Sequence, residues 1–444
     1  MHRVLLVIIV IVGLAMPAAA RPVLMISIDG LRPGDVINAE ARGLKLPNLH
    51  RFVREGTYAD GVVGVLPTVT YPSHTTLITG TSPGRHGIVN NLAFDPLQKN
   101  QGGWAWYATD IRVPTLWEAA TRSGLKVGSV HWPVSVGARG IAWNLPQIWR
   151  TGHDDDAKLL TILATSGLVT ELEAATSEAY PLGIDESVEG DERRGRFAEA
   201  LIRRHRPGFL TVYLAGLDHQ QHTHGPDTAE AHAALERIDA IVGRLVSAEL
   251  ARYPEANVAV VSDHGFAAVT KETNLFHAFI DEGLITLDAS DKVIGWEAMP
   301  VPEDGSASVI LARPDDAQLQ AKVAALLERL KHDPRSGIAA IADRNTLIKL
   351  GGDPRASFYV SFMPGTAAGE FGGAKAPLYA PMRSKGTHGY FAAYPEMQST
   401  FLLMGRGVPR GKSLGVIDMR SIAPTLARIL GAKLESADLP PLSF

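Results

Sequence analysis

Five short apolar runs rich in β-branched residues, separated by segments with helical signals, constrain the fold of this 444-residue chain most. They cover residues 23–28, 127–130, 210–214, 258–261 and 401–404. Nearly continuous apolar runs of this length are typical of parallel strands buried on both faces. Strands that alternate with helices predict an α/β fold with a doubly wound, mostly parallel sheet flanked by helices. In such sheets, ligands bind beyond the carboxyl ends of the strands.

Helical patterns between these runs support the same architecture. Residues 114–120 begin with a proline and stop near Gly124, the expected order of helix start and stop signals. Residues 229–245 place apolar side chains on one face, and residues 421–430 end at Gly431. The alternation breaks at about residues 267–385, where the sequence predicts an amphipathic helix near 318–330, a strand at SASVILA and a Gly/Ala-rich loop around 365–375. We expect one catalytic domain over residues 21–444 with an inserted α+β lobe at about 267–385.

The first twenty residues have the pattern of an export signal. A short positive head containing Arg3 precedes the apolar residues 4–14, and three alanines at 18–20 form a small-residue cleavage signature. The apolar run is too short to span a bilayer comfortably, although an uncleaved anchor is the alternative. We predict a cleaved signal peptide at residues 1–20, no membrane span after cleavage, and export to the bacterial periplasm or outside the cell.

The overall composition excludes several functional classes. Hydrophobic residues make up 45% of the chain and charged residues 20%, which is ordinary for a folded globular protein. The net charge of −4 gives no sign of a nucleic-acid groove or a polybasic membrane patch. An exported chain with no cysteine cannot form disulfides, so packing and bound metal must stabilise it.

Aspartates and histidines recur beside the predicted strands, although they are far apart in sequence. They are Asp29 after MISI, Asp218 and His222 in GLDHQQH, Asp263 and His264 in VVSDHGF, and His388 in GTHGY. Because three of the aspartates follow strand ends, we expect these side chains to converge on one edge of the sheet. Carboxylates and imidazoles in this number suit two divalent cations, zinc in the first place, with manganese or iron able to use the same ligands.

Each motif has a plainer interpretation when it is taken alone. The i, i+4 pair of Asp218 and a histidine could be a solvated helix face, and His219 and His224 lie so close that spacing cannot identify the ligand. Asp263 could be a helix or turn cap, although a glycine at 265 would let the backbone turn and aim both neighbours inward. Asp29 and His388 could be turn or loop residues. The metal prediction depends on all four segments meeting.

A hydroxyl suited to nucleophilic attack lies between the first two segments. In PTVTYPSH, Thr70 precedes Pro72, which predicts that Thr70 lies at the N-terminal edge of a helix. There the helix dipole and free N–H groups favour an anion such as a phosphoryl group. Coordination to a dication would lower the pKa of the hydroxyl, and an ordinary N-cap threonine is the alternative.

With these segments identified, the chain resembles the nucleotide pyrophosphatase/phosphodiesterase family of the alkaline phosphatase superfamily. The similarity runs from VLMISIDGLRP through APTLARILG and is weakest in the lobe. It is most specific in PTVTYPSHTTLITGTSPGRHGIVNN, which is similar to the family's nucleophile segment almost throughout. The resemblance implies an alkaline-phosphatase-like fold and metal-dependent hydrolysis of phosphodiester or pyrophosphate bonds in nucleotides or related small molecules.

The resemblance also implies a role for each site residue. Thr70 is the nucleophile, and it bridges toward one of two zinc ions. One ion is held by Asp218, His222 and His388, and the other by Asp29, Asp263 and His264. Displacement then proceeds in two in-line steps through a phosphothreonine diester, with the cations offsetting negative charge on phosphorus-bound oxygens.

Three further residues are implied to contact the substrate. Asn91, at the end of HGIVNN, would donate a hydrogen bond to a nonbridging phosphate oxygen. Tyr71 and Tyr213 match positions where members of the family sandwich a nucleobase, and packing in the aromatic core is the alternative for both.

Related activities are weighed by the side chains that they require. A sulfatase is disfavoured because the chain has no cysteine and His74 stands where an arginine would be expected. A phosphomonoesterase would clamp the additional charged oxygen with Lys or Arg, and the segment after HWPVS offers only Arg139. Phosphonate and phospholipid-headgroup hydrolases would use the same groups and stay open as alternatives. A metal- or phosphate-binding protein without turnover would have no need of the Thr70 hydroxyl.

Overall fold

The structure is a computed structural model that describes residues 21–97, 99, 103–149, 153–182 and 185–444. The predicted signal peptide lies outside the described residues. The strands are numbered along the chain as β1 Val23–Ile28, β2 Thr57–Tyr58, β3 Gly61–Val63, β4 Val127–Val130, β5 Trp143–Leu145, β6 Phe209–Leu214, β7 Asn257–Val261, β8 Ala267–Thr273, β9 Ile285–Leu287, β10 Val293–Trp296, β11 Ala298–Pro302, β12 Ser306–Leu311, β13 Ile338–Asp343, β14 Ala356–Phe362, β15 Gly365–Ala368, β16 Tyr379–Pro381, β17 Gly386–Thr387, β18 Phe401–Gly405, β19 Lys412–Ser413 and β20 Val416–Asp418.

The α-helices are numbered in the same way. They are α1 Pro33–Ile37, α2 Pro47–Glu55, α3 Thr70–Thr79, α4 Pro83–His86, α5 Leu116–Arg122, α6 Asp156–Leu163, α7 Leu168–Thr176, α8 Val188–His205, α9 Gly216–His224, α10 Ala229–Arg252, α11 Leu275–Asp281, α12 Ala317–His332, α13 Arg344–Lys349 and α14 Ile422–Ile429. Among the described residues, no single helix has the length and apolar character needed to cross a membrane, and only α6 with α7, bent by 110°, meets those criteria as a pair.

The main sheet confirms the predicted fold class. Its strand order is β19-β2-β18-β7-β1-β6-β4-β5, and the five strands from β7 to β5 run parallel. Along β1, Leu24 and Ile26 pack into one buried cluster, whereas Val23 and Met25 pack into a second cluster on the other face. Helices α2, α8 and α10 contribute to the first cluster, and α3, α5 and α14 to the second. The sheet is therefore covered on both faces, as its nearly continuous apolar strands predict.

One predicted parallel strand runs in the opposite direction. Residues 401–405 form β18, which pairs antiparallel with β7. The apolar run itself carries no information on direction. The chain comes back to the sheet from the lobe at the carboxyl edge, beside His388, so β18 must run back from that edge.

The predicted helices are present with shifted ends. Helix α5 begins at Leu116, because the Thr115 hydroxyl accepts the backbone N–H of Glu118 while the Glu118 carboxylate accepts the N–H and hydroxyl of Thr115. This capping box sets the start two residues after the proline at 114. Helix α10 continues seven residues beyond the predicted end at 245, to Arg252.

The inserted lobe contains its own sheets and its own core. Strands β11, β12, β14 and β13 form an antiparallel sheet, and α12 packs beside it through apolar side chains such as Val323 and Leu327. The Gly/Ala-rich stretch predicted as a loop begins as β15, which pairs parallel with β8. Strand β17 also pairs with β8, directly before His388, and the chain then rejoins the main sheet at β18.

A buried ion pair fixes the helix that carries two of the site residues. Asp191 and Arg194 on α8 are both fully buried, and their side chains are joined at 2.9 Å. The Asp191 carboxylate also accepts the backbone N–H groups of Ala215 at 3.1 Å and Gly216 at 2.7 Å, where α9 begins. The carboxylate therefore supplies the cap that the first turn of α9 lacks locally.

We predict that Asp191→Ala lowers the free energy of unfolding by about 3–5 kcal/mol, because the substitution leaves the buried Arg194 guanidinium without its charge partner. Urea unfolding followed by circular dichroism measures the change. The matched variant Asp110→Ala, at an exposed aspartate, should change the same free energy by less than about 0.5 kcal/mol. Equal effects in the two variants would contradict the assigned role of Asp191.

Candidate active site

Two of the predicted aspartates lie where neighbouring parallel strands end. Asp29 follows β1 and Asp263 follows β7 by two residues, and the side chains of both are at most 2% exposed. A Cβ atom at Gly265 would lie 2.0 Å from the carbonyl oxygen of Glu396. The glycine is needed for this close approach of two backbones, and not for the unusual turn expected from the sequence.

The structure brings Asp29, Asp263 and His264 together in one buried group. Nε2 of His264 lies 3.3 Å from Oδ1 of Asp29 and 3.1 Å from Oδ2 of Asp263. One ligand atom from each residue lies within 4.8 Å of the other two, which is close enough for one ion to contact all three.

A second group combines α9 with the segment after the lobe. Asp218 and His222 lie one turn apart on α9, with Oδ2 and Nε2 separated by 3.4 Å. Nε2 of His388 lies 3.8 Å from Oδ1 of Asp218. The histidine left open by the spacing is therefore His222, because His219 instead faces Glu186 at 3.6 Å.

Backbone carbonyls orient all three imidazoles in the same way. Nδ1 of His222 lies 2.9 Å from the carbonyl oxygen of Gly386, that of His264 lies 3.1 Å from Gly265, and that of His388 lies 3.1 Å from Thr68. A ring that donates its Nδ1–H to a carbonyl carries a lone pair on Nε2. The three Nε2 atoms therefore face the carboxylates as ligands, in the arrangement usual for histidines that bind metal.

Unsatisfied buried atoms provide an independent test of whether these residues fit metal ions. Oδ1 of Asp29, Oδ1 of Asp218, Oδ2 of Asp263 and Nε2 of His264 are buried, and within the described part of the chain they form no hydrogen bond. Such atoms are rare in proteins, because each costs roughly 1–3 kcal/mol when it is left unpaired. Other buried polar atoms of the described chain also lack a hydrogen bond, but these four lie together in the two groups, and their oxygen and nitrogen donors suit a divalent cation such as zinc.

The electrostatics of the two groups point in the same direction. Burial, followed by the charge of Asp263, raises the pKa of Asp29 well above the ordinary carboxyl value, and burial followed by Asp29 does the same for Asp218. Burial opposes protonation of His264, yet the carboxylates of Asp263 and Asp29 raise its pKa to about 9. Burial lowers the pKa of His388 well below the ordinary imidazole value. The crowded carboxylates therefore require positive charge, which protons supply when no cation does.

The two groups are adjacent. The rings of His264 and His388, one from each group, stack with centroids 3.6 Å apart and planes inclined by 14°. Asp29, Asp218, His222 and His388 all line one cavity of about 170 Å³.

Thr70 is the first residue of α3, and it lines the same cavity. The free N–H groups predicted beside it are partly used. Oδ1 of Asn91 accepts the backbone N–H of Tyr71 at 2.8 Å, and Pro72 has no N–H to offer. The bond to Oδ1 fixes the orientation of the Asn91 amide, whose Nδ2 group is the donor, and Asn91 lines the cavity with Thr70.

His74 connects α3, which begins at Thr70, with Asp263 of the first candidate metal group. The sequence did not indicate this link. The side chain is fully buried on α3, with Nδ1 2.8 Å from the carbonyl oxygen of Thr70 and Nε2 2.8 Å from the hydroxyl of Ser27 on β1. Nδ1 also lies 3.5 Å from Oδ2 of Asp263. The first turn of α3 is thereby fixed relative to the end of β7.

The contacts of Tyr213 favour a role different from stacking on a base. Its hydroxyl donates to Oδ2 of Asp29, and its ring packs against His74 and His131, with centroids 4.7 and 5.6 Å away. Tyr213 is therefore positioned to orient Asp29, and the stacking role that the resemblance implies for it stays a prediction.

Two tryptophans missed by the sequence reasoning extend the aromatic surface beside Tyr71. The ring of Trp104 lies 5.3 Å from that of Tyr71 and 4.7 Å from that of Trp149, and all three line the cavity. Trp104 and Trp149 contact each other directly, so the three rings form a continuous aromatic wall. Tryptophans in irregular loops carry no periodic signal from which this could have been predicted.

Two carboxylates outside the metal groups also line the cavity, namely Glu186 and Asp304. Asp304 belongs to the lobe, and its Oδ2 lies 3.9 Å from Nε2 of His388. Arg139, the candidate monoester clamp, lines a different surface depression.

Comparison with known proteins identifies the family. The family described as type I phosphodiesterase / nucleotide pyrophosphatase matches residues 23–390. Ectonucleotide pyrophosphatase/phosphodiesterase family member 1 of Homo sapiens is 28% identical over 255 residues, which cover 55% of this chain and 23% of that protein. Venom phosphodiesterase 2 of Crotalus adamanteus is 26% identical over 258 residues, which cover 56% of this chain and 27% of that protein. The chain thus matches only about a quarter of the length of these curated relatives.

Solved structures show the same fold. Murine ectonucleotide pyrophosphatase/phosphodiesterase 5, an inactive variant in complex with AMP, superposes with a TM-score of 0.65 and 18% identity over 96% of this chain and 97% of that one. The human protein of the same name superposes with the same score. From the match over residues 23–390 and the sheet, strand ends and paired ligand groups described above, we conclude that this chain belongs to the type I phosphodiesterase/nucleotide pyrophosphatase family.

Proposed function

We propose that this chain hydrolyses phosphodiester or pyrophosphate bonds of nucleotides, with Thr70 as the nucleophile and a divalent cation, preferably zinc, in each of the two groups. The observation that carries the proposal is the shared cavity, in which Thr70 and Asn91 lie beside Asp29, Asp218, His222 and His388. A hydroxyl, an amide donor and two ligand groups around one small cavity are the equipment for displacement at phosphorus. A binding protein without turnover would not need the hydroxyl.

The cations would supply positive charge to the nucleophile, to the leaving oxygen and to the phosphoryl oxygens. The protein's own contribution begins with Thr70, whose Oγ1 attacks phosphorus after its proton passes to solvent. A bond forms between Oγ1 and phosphorus as the bond to the leaving oxygen breaks, and this yields a phosphothreonine diester. Water then attacks phosphorus, the bond to Oγ1 breaks, and Thr70 regains a proton.

Asn91 and the helix start would hold the phosphoryl group during both steps. The Nδ2 amide of Asn91 is fixed by the bond from the Tyr71 N–H to Oδ1, so it is pre-organised to donate to a nonbridging oxygen. Among the described residues that line the cavity there is no Lys or Arg. A phosphodiester, which has one charged oxygen fewer than a monoester, needs no such clamp, so the lining favours diesters.

The aromatic wall supports a nucleotide as the organic part of the substrate. Tyr71, Trp104 and Trp149 line the cavity beside the proposed phosphoryl position, and aromatic rings at such a place can stack on a nucleobase. Because Trp104 and Trp149 touch each other, a base would lie on the open side of the wall and not between them.

We further propose that residues 21–444 form one catalytic unit whose lobe completes the site, and that residues 1–20 direct export from the cell. The N-terminal pattern of charge, apolar run and alanines supports export. The prefix "ecto" and the word "venom" in the names of the relatives are consistent with it.

Thr70→Ala should reduce kcat on the nitrophenyl ester of thymidine 5′-phosphate on the order of 10³-fold or more, because the attacking oxygen is removed. Thr109→Ala, at an exposed threonine, should match the parent protein. Acid quench of the parent during turnover should trap a thymidylyl group, joined to Thr70 through a phosphodiester bond, as read by mass spectrometry. Full turnover by the zinc-loaded alanine variant would refute the nucleophile assignment.

Zinc binding at pH 7 should release about one proton from His264, because its pKa of about 9 keeps it protonated without metal and ligation requires the neutral ring. The apparent affinity for zinc should therefore rise about tenfold per pH unit up to about pH 9. It should fall as the pH is lowered, and the fall should be steeper once Asp29 and Asp218 become protonated.

Calorimetry in two buffers of different ionisation enthalpy measures this release together with the number of ions bound. We expect two ions per chain, and one in His264→Gln with the proton release removed. His332→Gln, at an exposed histidine, serves as the control and should behave as the parent does. Release that is unchanged in the His264 variant would count against the assignment.

Trp149→Ala should raise KM for a nucleotide diester about tenfold, since stacking on a base is worth roughly 1–3 kcal/mol. The same variant should change KM for methyl nitrophenyl phosphate, which has no base, less than about twofold. Steady-state kinetics on the two substrates tests whether the aromatic wall binds the base. An equal rise in KM for both substrates would show that Trp149 supports the fold of the loop instead.

A further inference from the structure

The site contains more negative charge than binding two cations requires. Besides the carboxylates of the two metal groups, Glu186 and Asp304 line the cavity, and no Lys or Arg joins them among the described lining residues. Two divalent cations would outweigh the three ligand carboxylates by one positive charge. The two additional carboxylates reverse that sign. A phosphate-ester site with a net negative lining therefore needs an explanation.

Asp304 is held in this position at a conformational cost. Its φ angle is 60°, in the left-handed region that residues other than glycine seldom adopt. Its Oδ1 accepts a hydrogen bond from the Thr387 hydroxyl at 3.2 Å, and Oδ2 points toward His388 at 3.9 Å. About a third of the side chain, 37%, is exposed, so the carboxylate is in contact with the cavity and with solvent.

The loop that carries Asp304 interlocks with the segment that carries His388. A Cβ atom at Gly389 would lie 1.9 Å from the carbonyl oxygen of Glu303, and one at Gly305 would lie 2.5 Å from the Tyr390 ring. The hydroxyl of Ser306 donates to the carbonyl oxygen of Gly389 at 2.6 Å. The loop cannot move away without displacing His388, so the strained carboxylate is fixed beside the site.

Glu186 lies in the segment directly before α8, distant in sequence from Asp304. Its Oε2 is 3.6 Å from Nδ1 of His219, a half-exposed ring that leaves the glutamate only partly compensated. The charges of Glu186 and Asp304 both reach the second metal group. After burial and Asp29, they are among the influences that raise the pKa of Asp218, and both oppose the effect of burial on His222. The negative potential of Glu186 and Asp304 therefore extends over the cavity in which the proposed substrate would bind.

We propose that Asp304 and Glu186 act as specificity-determining residues that exclude additional negative charge from the site. The favoured substrates are phosphodiesters with a single phosphate charge whose second ester group is neutral or cationic. Dianionic monoesters and esters with further phosphates are disfavoured by repulsion from the two carboxylates. This inference rests on the proposed function and narrows it, because within that function it favours phosphodiesters over substrates with pyrophosphate bonds, whose further phosphates carry additional negative charge.

The experiment compares Asp304→Asn, Glu186→Gln and the double variant with the parent protein, all loaded with zinc. The substrates are the nitrophenyl ester of thymidine 5′-phosphate, which is a monoanion, and nitrophenyl phosphate, which is a dianion at pH 8. Each single variant should lower the ratio of the dianion KM to the monoanion KM by about three- to tenfold, and the double variant by more. The effect should shrink at 0.5 M salt, because the cavity is open to solvent.

Glu328→Gln is the matched control, since it removes one negative charge from an exposed position on α12 outside the cavity. It should leave the ratio within about twofold of the parent value, as expected for a distant, screened charge. Ratios for the Asp304 and Glu186 variants that equal those of the control would overturn the proposal. Loss of one bound zinc ion in Asp304→Asn would also overturn it, because Asp304 would then be a ligand.

A binding measurement separates failure of this inference from failure of the proposed function. Calorimetry on zinc-loaded Thr70→Ala compares thymidine 5′-phosphate with its methyl ester, which differ by one esterified oxygen. Asp304→Asn in that background should increase affinity for the dianion about three- to tenfold more than for the methyl ester. If the parent protein hydrolyses no phosphate ester, the proposed function fails, while this binding difference still supports or refutes the charge selection. Equal gains for both ligands would refute it.

Discussion

The structure depends on a set of buried carboxylates that cannot be stable together without positive charge. Asp29, Asp218 and Asp263 are each less than a tenth exposed, and burial, followed by neighbouring carboxylates, raises the pKa of the first two. Protons or metal ions must supply the compensating charge, because buried anions in contact are among the least favourable arrangements in a protein. The scaffold therefore stores electrostatic strain that bound cations would relieve, and this couples metal binding to the stability of the fold.

Main-chain groups, more than side chains, hold this arrangement in place. Carbonyl oxygens of Thr68, Gly265 and Gly386 orient the three imidazoles, and the N–H of Tyr71 orients Asn91. Backbone groups are fixed by the sheet and helices, so the ligands are pre-organised before an ion arrives. The buried pair of Asp191 and Arg194 extends the same logic to α9, whose first turn it caps.

The inserted lobe is part of the site and not an appendage. Strand β17, which pairs with β8 of the lobe, ends directly before His388, and the lobe contributes Asp304 beside the second ligand group. Interlocking glycines join the two segments, so the lobe's position and the geometry at His388 are set together. In the proposed reaction α3 would supply the nucleophile and the strand ends of the main sheet three ligands. Helix α9 would supply two more and the segment after the lobe would supply His388, whereas the lobe would adjust the charge of the cavity.

Sequence patterns alone determined the α/β class, the position of Thr70 at a helix start and the acidic and imidazole residues other than His222, because apolar runs and strand-end motifs are local signals. The direction of β18, the choice of His222 over His219 and the contacts of Tyr213 were decided only by tertiary structure. So were the roles of Trp104, Trp149, Glu186 and Asp304, which lie in loops or irregular segments distant in sequence from the residues that they approach. A residue's partners across the fold leave no trace in its own neighbourhood along the chain, so local pattern identifies the ligands, whereas their surroundings emerge only when the chain is folded.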